Sequence, residues 1–353
     1  MKSDVYLIEV NSSDIEQRIL ALERLLNKVN PFSEYQKYEF IPVKVTVGDS
    51  ACIYHISPEL VKAVIARIKK HKAKPFLFDT SVIYKGERQN ALDHLSLVQN
   101  KGFAHSRVGA PFIIADGLLG QDGREFELNS ADIKKIKLPS FVGMLESLLV
   151  LTHATGHILS VYAGAIKNVA MGMSCRATKQ VQHSSLKPTV IAKKCSACNC
   201  CVVICPAGAI SYKNEKAFIN QEICLGCGEC LCACKFDAIN INWEEDVNTF
   251  CKRMADVAGF ILSKFKNKFF ITFAWDITKE CDCISDKNEK KISDDIGILA
   301  SADILSLDKA TADLIGRDEK SGYLRKSKDV YEKMFTYAAN KGLGNLEYNL
   351  IKL

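Results

Sequence analysis

Cys195-Ser-Ala-Cys198-Asn-Cys-Cys201-Val-Val-Ile-Cys205-Pro206 is answered, after residues 207–223, by Cys224-Leu-Gly-Cys227-Gly-Glu-Cys230-Leu-Cys-Ala-Cys234. Each run is Cys-x2-Cys-x2-Cys-x3-Cys, and the first carries the proline that often follows the fourth cysteine. Three thiolates spaced in this way wrap one corner of a 4Fe-4S cube, because each short loop bends back and brings the next sulfur to another iron. The fourth sulfur then comes from the other run. Cys195, Cys198, Cys201 and Cys234 are the expected ligands of one cluster, and Cys224, Cys227, Cys230 and Cys205 those of a second. Structural zinc would bring separated pairs of cysteines to one ion and leave the remaining spacings without a purpose. Disulfides would need an oxidising compartment.

The two runs form an internal repeat that extends into Ala209-Ile210 and Ala238-Ile239, apolar residues able to pack beside a cluster. Cys200 and Cys232 break the repeat, their counterparts being Glu229 and Val203, and are read as packing residues. Between the runs, Ile210-Ser-Tyr and Ala217-Phe-Ile flank Lys213-Asn-Glu-Lys216, which reads as a hairpin. The segment is a small ferredoxin-like α+β insert at residues 189–242, dividing a larger domain into 1–188 and 243–353.

The flanks are ordinary in composition. The chain has 353 residues, 48% of them hydrophobic and 25% charged, and 47 basic against 41 acidic side chains give a net charge of +6. Basic residues form no long block and no aromatic interleaving, so no nucleic-acid partner is expected. The longest apolar runs fall well short of the roughly 18 residues that a membrane span needs. No secretory leader pattern precedes the first helix, and a reducing cytoplasm is the expected location.

Working outward from the cysteines, four apolar runs each end in a polar residue. Pro75-Phe-Leu-Phe ends in Asp79-Thr80, Pro111-Phe-Ile-Ile-Ala in Asp116-Gly117, Leu148-Leu-Val-Leu in Thr152-His153, and Phe269 to Trp275 in Asp276. Helical periodicity lies between strands of this kind, as in Ile15 to Val29, Pro58 to Lys70 and Arg88 to Gln99. Strands apolar on both faces and alternating with helices predict an α/β fold, a mainly parallel sheet covered by helices on both faces. The polar residues then share the sheet edge where ligands of such folds bind. Helix capping is the competing reading of each one.

Two further stretches stand out. Residues 156–185 hold Gly156-His157, Gly164, Lys167, Met171-Gly172, Arg176, Lys179 and His183. They read as a glycine-rich connection that either binds an anion or needs glycine for its geometry. Cys281-Asp282-Cys283 is too tightly spaced for an ordinary disulfide clip or for two ligands on a regular helix. It either presents two soft sulfurs to one metal from an extended loop or is a chance pairing in a chain with 15 cysteines.

Taken in order, Phe78-Asp79-Thr80, Tyr84-Lys85-Gly86-Glu87-Arg88, Ala115-Asp116-Gly117, Gly156-His157, Gly164 to Asn168, Met171-Gly172, Gln182-His183-Ser184, Cys281-Asp282-Cys283 and Asp295-Ile296-Gly297 resemble the domain of unknown function 362 family. The resemblance is to its form with a two-cluster ferredoxin module, over residues 43 to 350. It implies an α/β domain with a ferredoxin insert and no particular activity. Thr155 stands where the family pattern has Lys, and Thr178 where it has Gly. Two functions are compatible with these residues. One is an iron-sulfur oxidoreductase, with Asp79, Asp116, His153, His157, Lys167, Asp276, Cys281 and Cys283 lining a cleft for a small-molecule substrate. The other is an electron carrier or adaptor whose α/β domain docks a redox partner protein.

Overall fold

The computed structural model describes residues 2–84, 86–183, 187–205, 207–224, 229–236, 238–240, 247–283 and 288–353. Lys85, Ser184, Pro206 and Cys227, all singled out in the sequence, lie outside this set, as does the side chain of Cys232.

Among the described residues the main sheet has eight strands: β1 (Ser3–Glu9), β2 (Phe40–Lys44), β3 (Lys74–Asp79), β4 (Phe112–Ile114), β5 (Ser147–His153), β6 (Asn267–Ala274), β7 (Gly297–Ser301) and β8 (Tyr348–Lys352). Their order is β8-β1-β7-β6-β5-β2-β3-β4. All neighbours are parallel except β7, which runs against both β1 and β6. The α/β class with a mainly parallel sheet therefore holds.

The strands alternate between two cores. In β5, Leu148 and Val150 join one apolar cluster and Leu149 and Leu151 the other. Helices α1 (Ile15–Val29) and α2 (Pro58–Lys70) cover the second face, and Asp14 and Ser57 cap them by accepting the N–H groups of Glu16 and Glu59. The first face is covered by α4 (Ala165–Gly172), α6 (Val247–Ser263), α7 (Ile304–Arg317) and α8 (Lys328–Asn340). Helix α3 (Ala91–Asn100) starts three residues later than the periodicity suggests, because Asn90 caps it by accepting the N–H groups of Leu92 and Asp93.

The glycine-rich stretch is more ordered than a connection. Thr155–His157 pairs with Val161–Ala163 in a short ribbon, and α4 and α5 (Arg176–His183) follow. Two of its glycines mark close approaches. A Cβ at Gly164 would collide with the Asp308 carboxylate, and one at Gly172 with the end of Lys44. The space for Asp308 matters because its carboxylate accepts the Ala165 N–H at 2.7 Å and the Ile166 N–H at 2.8 Å, fixing the first turn of α4.

Between α5 and α6 stands the cysteine-rich segment. Thr189-Val190 pairs with Ile239-Asn240, Ile210–Lys213 forms the hairpin with Lys216–Ile219, and the segment has its own apolar cluster of Cys201, Ile210, Ala217, Ile219, Cys230 and Ile239.

Candidate functional site

Within that segment, Cys195, Cys198 and Cys201 line one hollow together with Cys234 of the second run. These are the four sulfurs that the interleaved pattern assigns to one cluster. Each run ends in a short helix, Cys200–Ile204 and Glu229–Ala233, so that Cys205 and Cys234 each directly follow the last helical residue. Backbone N–H groups donate to three sulfurs: Ala217 to Cys195 at 3.4 Å, Ala209 to Cys205 at 3.3 Å and Ala238 to Cys234 at 3.2 Å. Such bonds favour sulfur carrying negative charge, as a ligand thiolate does. Among the described residues no three His, Cys, Asp or Glu side chains gather closely enough for one bare metal ion. Four thiolates around one hollow are the donor set that a 4Fe-4S cube takes. For the second tetrad, Cys205, Cys224 and Cys230 pack around the same small core, and Cys227 is outside the described residues.

A second site lies at the sheet edge. A cavity of about 600 Å³ is walled by the ends of β3 and β5, the Thr155–Ala163 ribbon, helices α4 and α5, and the 281–283 loop. Its floor is an ionic cluster. Lys44, last residue of β2 and fully buried, reaches Asp79 at the end of β3, Nζ to Oδ1 3.1 Å, and also donates to Thr46 Oγ1 at 3.1 Å. Arg88 Nη1 stands 3.7 Å from the other Asp79 oxygen, and Arg88 donates to Tyr84 Oη at 2.5 Å. Lys179 of α5 donates to Thr80 Oγ1 at 2.7 Å and to the Ser81 carbonyl. Asn168 ties α4 to β5 through the Leu151 carbonyl at 2.9 Å.

Burial works against the charge on Asp79, but Lys44, Arg88 and Lys179 outweigh it and hold the carboxyl below the usual range. Burial pushes Lys167 and Lys179 each down to about 8, with nearby carboxylates giving partial relief. His94, 3.8 Å from Asp79, is pushed down to about 3 by burial and is neutral, so that contact is not an ion pair.

The histidines behave differently from one another. His153 Nδ1 meets the Asp282 carboxylate at 2.9 Å and Nε2 meets the Trp275 carbonyl at 2.8 Å. Both partners only accept, so both ring nitrogens carry protons. Burial opposes that charge, but Asp282 prevails and the pKa is raised. His157 is the reverse. Its Nδ1 accepts the N–H of Ser160 at 3.1 Å and its ring stacks on Phe250, and burial followed by Lys167 pushes its pKa well down.

Of the strand-end and loop residues singled out in the sequence, Asp79, His153, His157, Lys167, Cys281 and Cys283 line the cavity. Asp116 and Asp276 do not. The Asp116 carboxylate turns behind the wall to accept the Ser81 N–H at 2.9 Å. Asp276, at a φ of 51°, turns away from the cavity to pair with Arg18 at 2.8 Å and with Lys291. Cys281 and Cys283, spaced too tightly for an ordinary clip, are nonetheless bridged. They are joined in a disulfide with Cα atoms 5.2 Å apart, because the chain turns at Asp282 instead of running extended.

Arg88 and Lys179 also line the cavity, and Lys44 lies beneath it against Asp79. The readable signal for Lys44 was a lone cation inside the apolar run Ile41-Pro-Val-Lys44-Val45. Thr178, in place of the family's Gly, accepts the Lys137 N–H at 2.6 Å and donates to the Lys137 carbonyl at 2.9 Å, joining α5 to the strand Lys135–Leu138, which pairs with Arg124–Glu127.

The family model described as domain of unknown function (DUF362) matches residues 41–313. The chain belongs to this family. Partial matches of another kind accompany it. An uncharacterised ferredoxin of Methanocaldococcus jannaschii is 44% identical over 39 residues, 11% of this chain and 24% of the relative. Hydrogenase-4 component A of Escherichia coli is 30% identical over 59 residues, 17% of this chain and 29% of the relative. The pyruvate synthase subunit PorD of Methanothermobacter marburgensis is 33% identical over 72 residues, 20% of this chain and 85% of the relative. The chain thus spans only about a quarter of the length of the first two of these relatives. Among solved structures, the lactate racemase apoprotein of Thermoanaerobacterium thermosaccharolyticum aligns with a TM-score of 0.44 at 10% identity, covering 86% of this chain and 55% of that one. Among the described residues no helix is long and apolar enough to cross a membrane.

Proposed function

We propose that this DUF362 family member is a cytoplasmic iron-sulfur protein that carries electrons on two 4Fe-4S clusters. Residues 189–242 form its cluster-bearing insert, and the cavity of the α/β domain holds a small molecule for reduction. One tetrad is Cys195, Cys198, Cys201 and Cys234; the other is Cys224, Cys227, Cys230 and Cys205. The observation that carries the reading is the sharing of one hollow by three sulfurs of the first run and the last sulfur of the second. When bound, such clusters supply one-electron transfer. The protein's part is to hold the thiolates, with the N–H groups of Ala209, Ala217 and Ala238 directed at three of them. Lys44 from beneath the cavity and Arg88 in its wall keep Asp79 ionised, and Lys167 offers a proton near neutral pH.

Anoxic purification followed by iron and labile-sulfide analysis and electron paramagnetic resonance tests this. Two clusters per chain are expected, and colourless protein without labile sulfide refutes the reading.

A second reading is an electron carrier without chemistry of its own. Its support is the apolar surface of the insert, where Val203, Phe218, Ile223 and Phe236 are exposed and suited to a docking redox protein. Dithionite-reduced protein that is reoxidised by small molecules without a second protein favours the first reading; reoxidation only by a protein partner favours the second.

A further inference from the structure

Cys281 and Cys283 are bonded to each other in the cavity wall. A bridge between residues two apart closes almost no loop, so it does little to restrict the unfolded chain, which is the main way a disulfide stabilises a fold. In reducing compartments, disulfides that do form are mostly catalytic or redox-sensing. The pair is also asymmetric, with Cys281 4% exposed and Cys283 half-buried.

Lys167 Nζ stands 3.7 Å from Cys283 Sγ. A cation there favours thiolate over thiol and makes that sulfur the better leaving group, and Cys283 is also the more exposed of the two. The surroundings hold this geometry. Lys167 lies on the α4 turn fixed by Asp308, and Asp282, between the two sulfurs, is held by His153. Facing the lysine, Asp282 and Glu280 favour its charge, while Arg88 and Lys44 oppose it. His157 and His183 are neutral through burial.

We propose that Cys281 and Cys283 form a redox-active pair, a disulfide that opens to a dithiol inside the cavity, with Lys167 positioned to stabilise the Cys283 thiolate. The Sγ–Sγ bond breaks on uptake of two electrons. Cys281 takes one proton and becomes a thiol, and Cys283 remains a thiolate against the Lys167 ammonium. The electrons come from a reduced iron-sulfur carrier, so the physiological reductant rests on the function proposed above, although the chemistry of the pair can be measured without it.

The test uses full-length protein purified without oxygen and equilibrated in dithiothreitol buffers of graded reduced-to-oxidised ratio. The protein is quenched with N-ethylmaleimide and digested, and the 281–283 peptide is weighed by mass spectrometry. The peptide is expected to pass from bridged to doubly alkylated across the series. Lys167→Gln is expected to need a reducing ratio about tenfold higher, and Lys167→Arg to restore it. In Cys281→Ser, the remaining Cys283 is expected to alkylate with a pH midpoint below the ordinary thiol value of about 8.5.

A peptide bridged throughout, or alkylated throughout, overturns the proposal. So does a Cys283 midpoint at or above the ordinary value, a reading that does not depend on the lysine variants folding. Iron and sulfide measured on the same samples keep the outcomes apart. Absent clusters refute electron carriage and leave the titration of the pair standing, whereas full clusters with an inert pair refute this proposal alone.

Discussion

Replacing Lys44 with Met removes the cation that lies 3.1 Å from Asp79 while keeping most of the aliphatic stem. At an effective dielectric of 20, the attraction at that distance is about 5 kcal/mol. Part of this is offset, because Met also relieves the cost of burying the ammonium. The stranded carboxylate keeps the Thr80 N–H at 2.9 Å and Arg88 at 3.7 Å. The expected net loss is therefore at the lower end of the range for breaking a buried pair, about 3 kcal/mol. Asp79→Asn alone strands the lysine instead, and the double variant Lys44→Met/Asp79→Asn leaves neither charge uncompensated. Urea unfolding of the four proteins, followed by near-ultraviolet circular dichroism with the slope held common, gives the coupling directly. The double variant is expected to be more stable than the sum of the single losses predicts by about 2 kcal/mol. Additive losses, or a Lys44→Met cost below about 1 kcal/mol, would mean that the pair does not hold the cavity floor.

Other substitutions probe the remaining features. Gly172→Ala puts a methyl group where the end of Lys44 passes, and is expected to cost about 1–3 kcal/mol by unfolding, with little further loss on adding Lys44→Met. Cys234→Ser should remove about half of the bound iron, and Cys200→Ser, outside both tetrads, should leave the iron count unchanged. Asp308 is raised to about 7 by burial and His153 is raised by Asp282 against burial, so both bind protons more tightly in the folded chain than in the unfolded. Their contribution is complete below the unfolded values, ~3.9 and ~6.5, and is lost as pH rises through the folded ones. For Asp308 this amounts to about 2 kcal/mol between pH 5 and pH 7, read as the pH dependence of the urea midpoint that disappears in Asp308→Asn.

The parallel part of the sheet was legible because its strands are buried on both faces and so read as unbroken apolar runs. The four cysteines around one hollow were legible because each run brings three sulfurs through local spacing. Long-range pairing left no such trace. Asp276 looked like its fellow strand ends, and only folding brings Arg18, 258 residues earlier, to its side chain. Lys44 was hidden within a strand because the cost of burying it is offset by Asp79 and by the Thr46 hydroxyl that accepts from its ammonium, contacts that no sequence period encodes. The glycines of residues 156–185 left an anion loop and a geometric need both open, and Gly164 and Gly172 show the second, letting the Asp308 carboxylate and the Lys44 side chain approach two helical turns.

Strand β1 is among the earliest elements of the chain, yet its neighbours in the sheet are β7 and β8, which come from beyond residue 296. During synthesis it must therefore emerge before either partner and wait while the ribosome completes both cysteine runs and the helices after them. Contacts spanning so much of the chain make closure of the sheet a late and slow event. The sulfurs of the insert, which are close together in sequence, can be collected by iron before the wall carrying Cys281 and Cys283 exists. Loading of the insert and completion of the cavity are thus separable in time, and a chain stalled between them would expose the open flank of β5 to other unfinished chains.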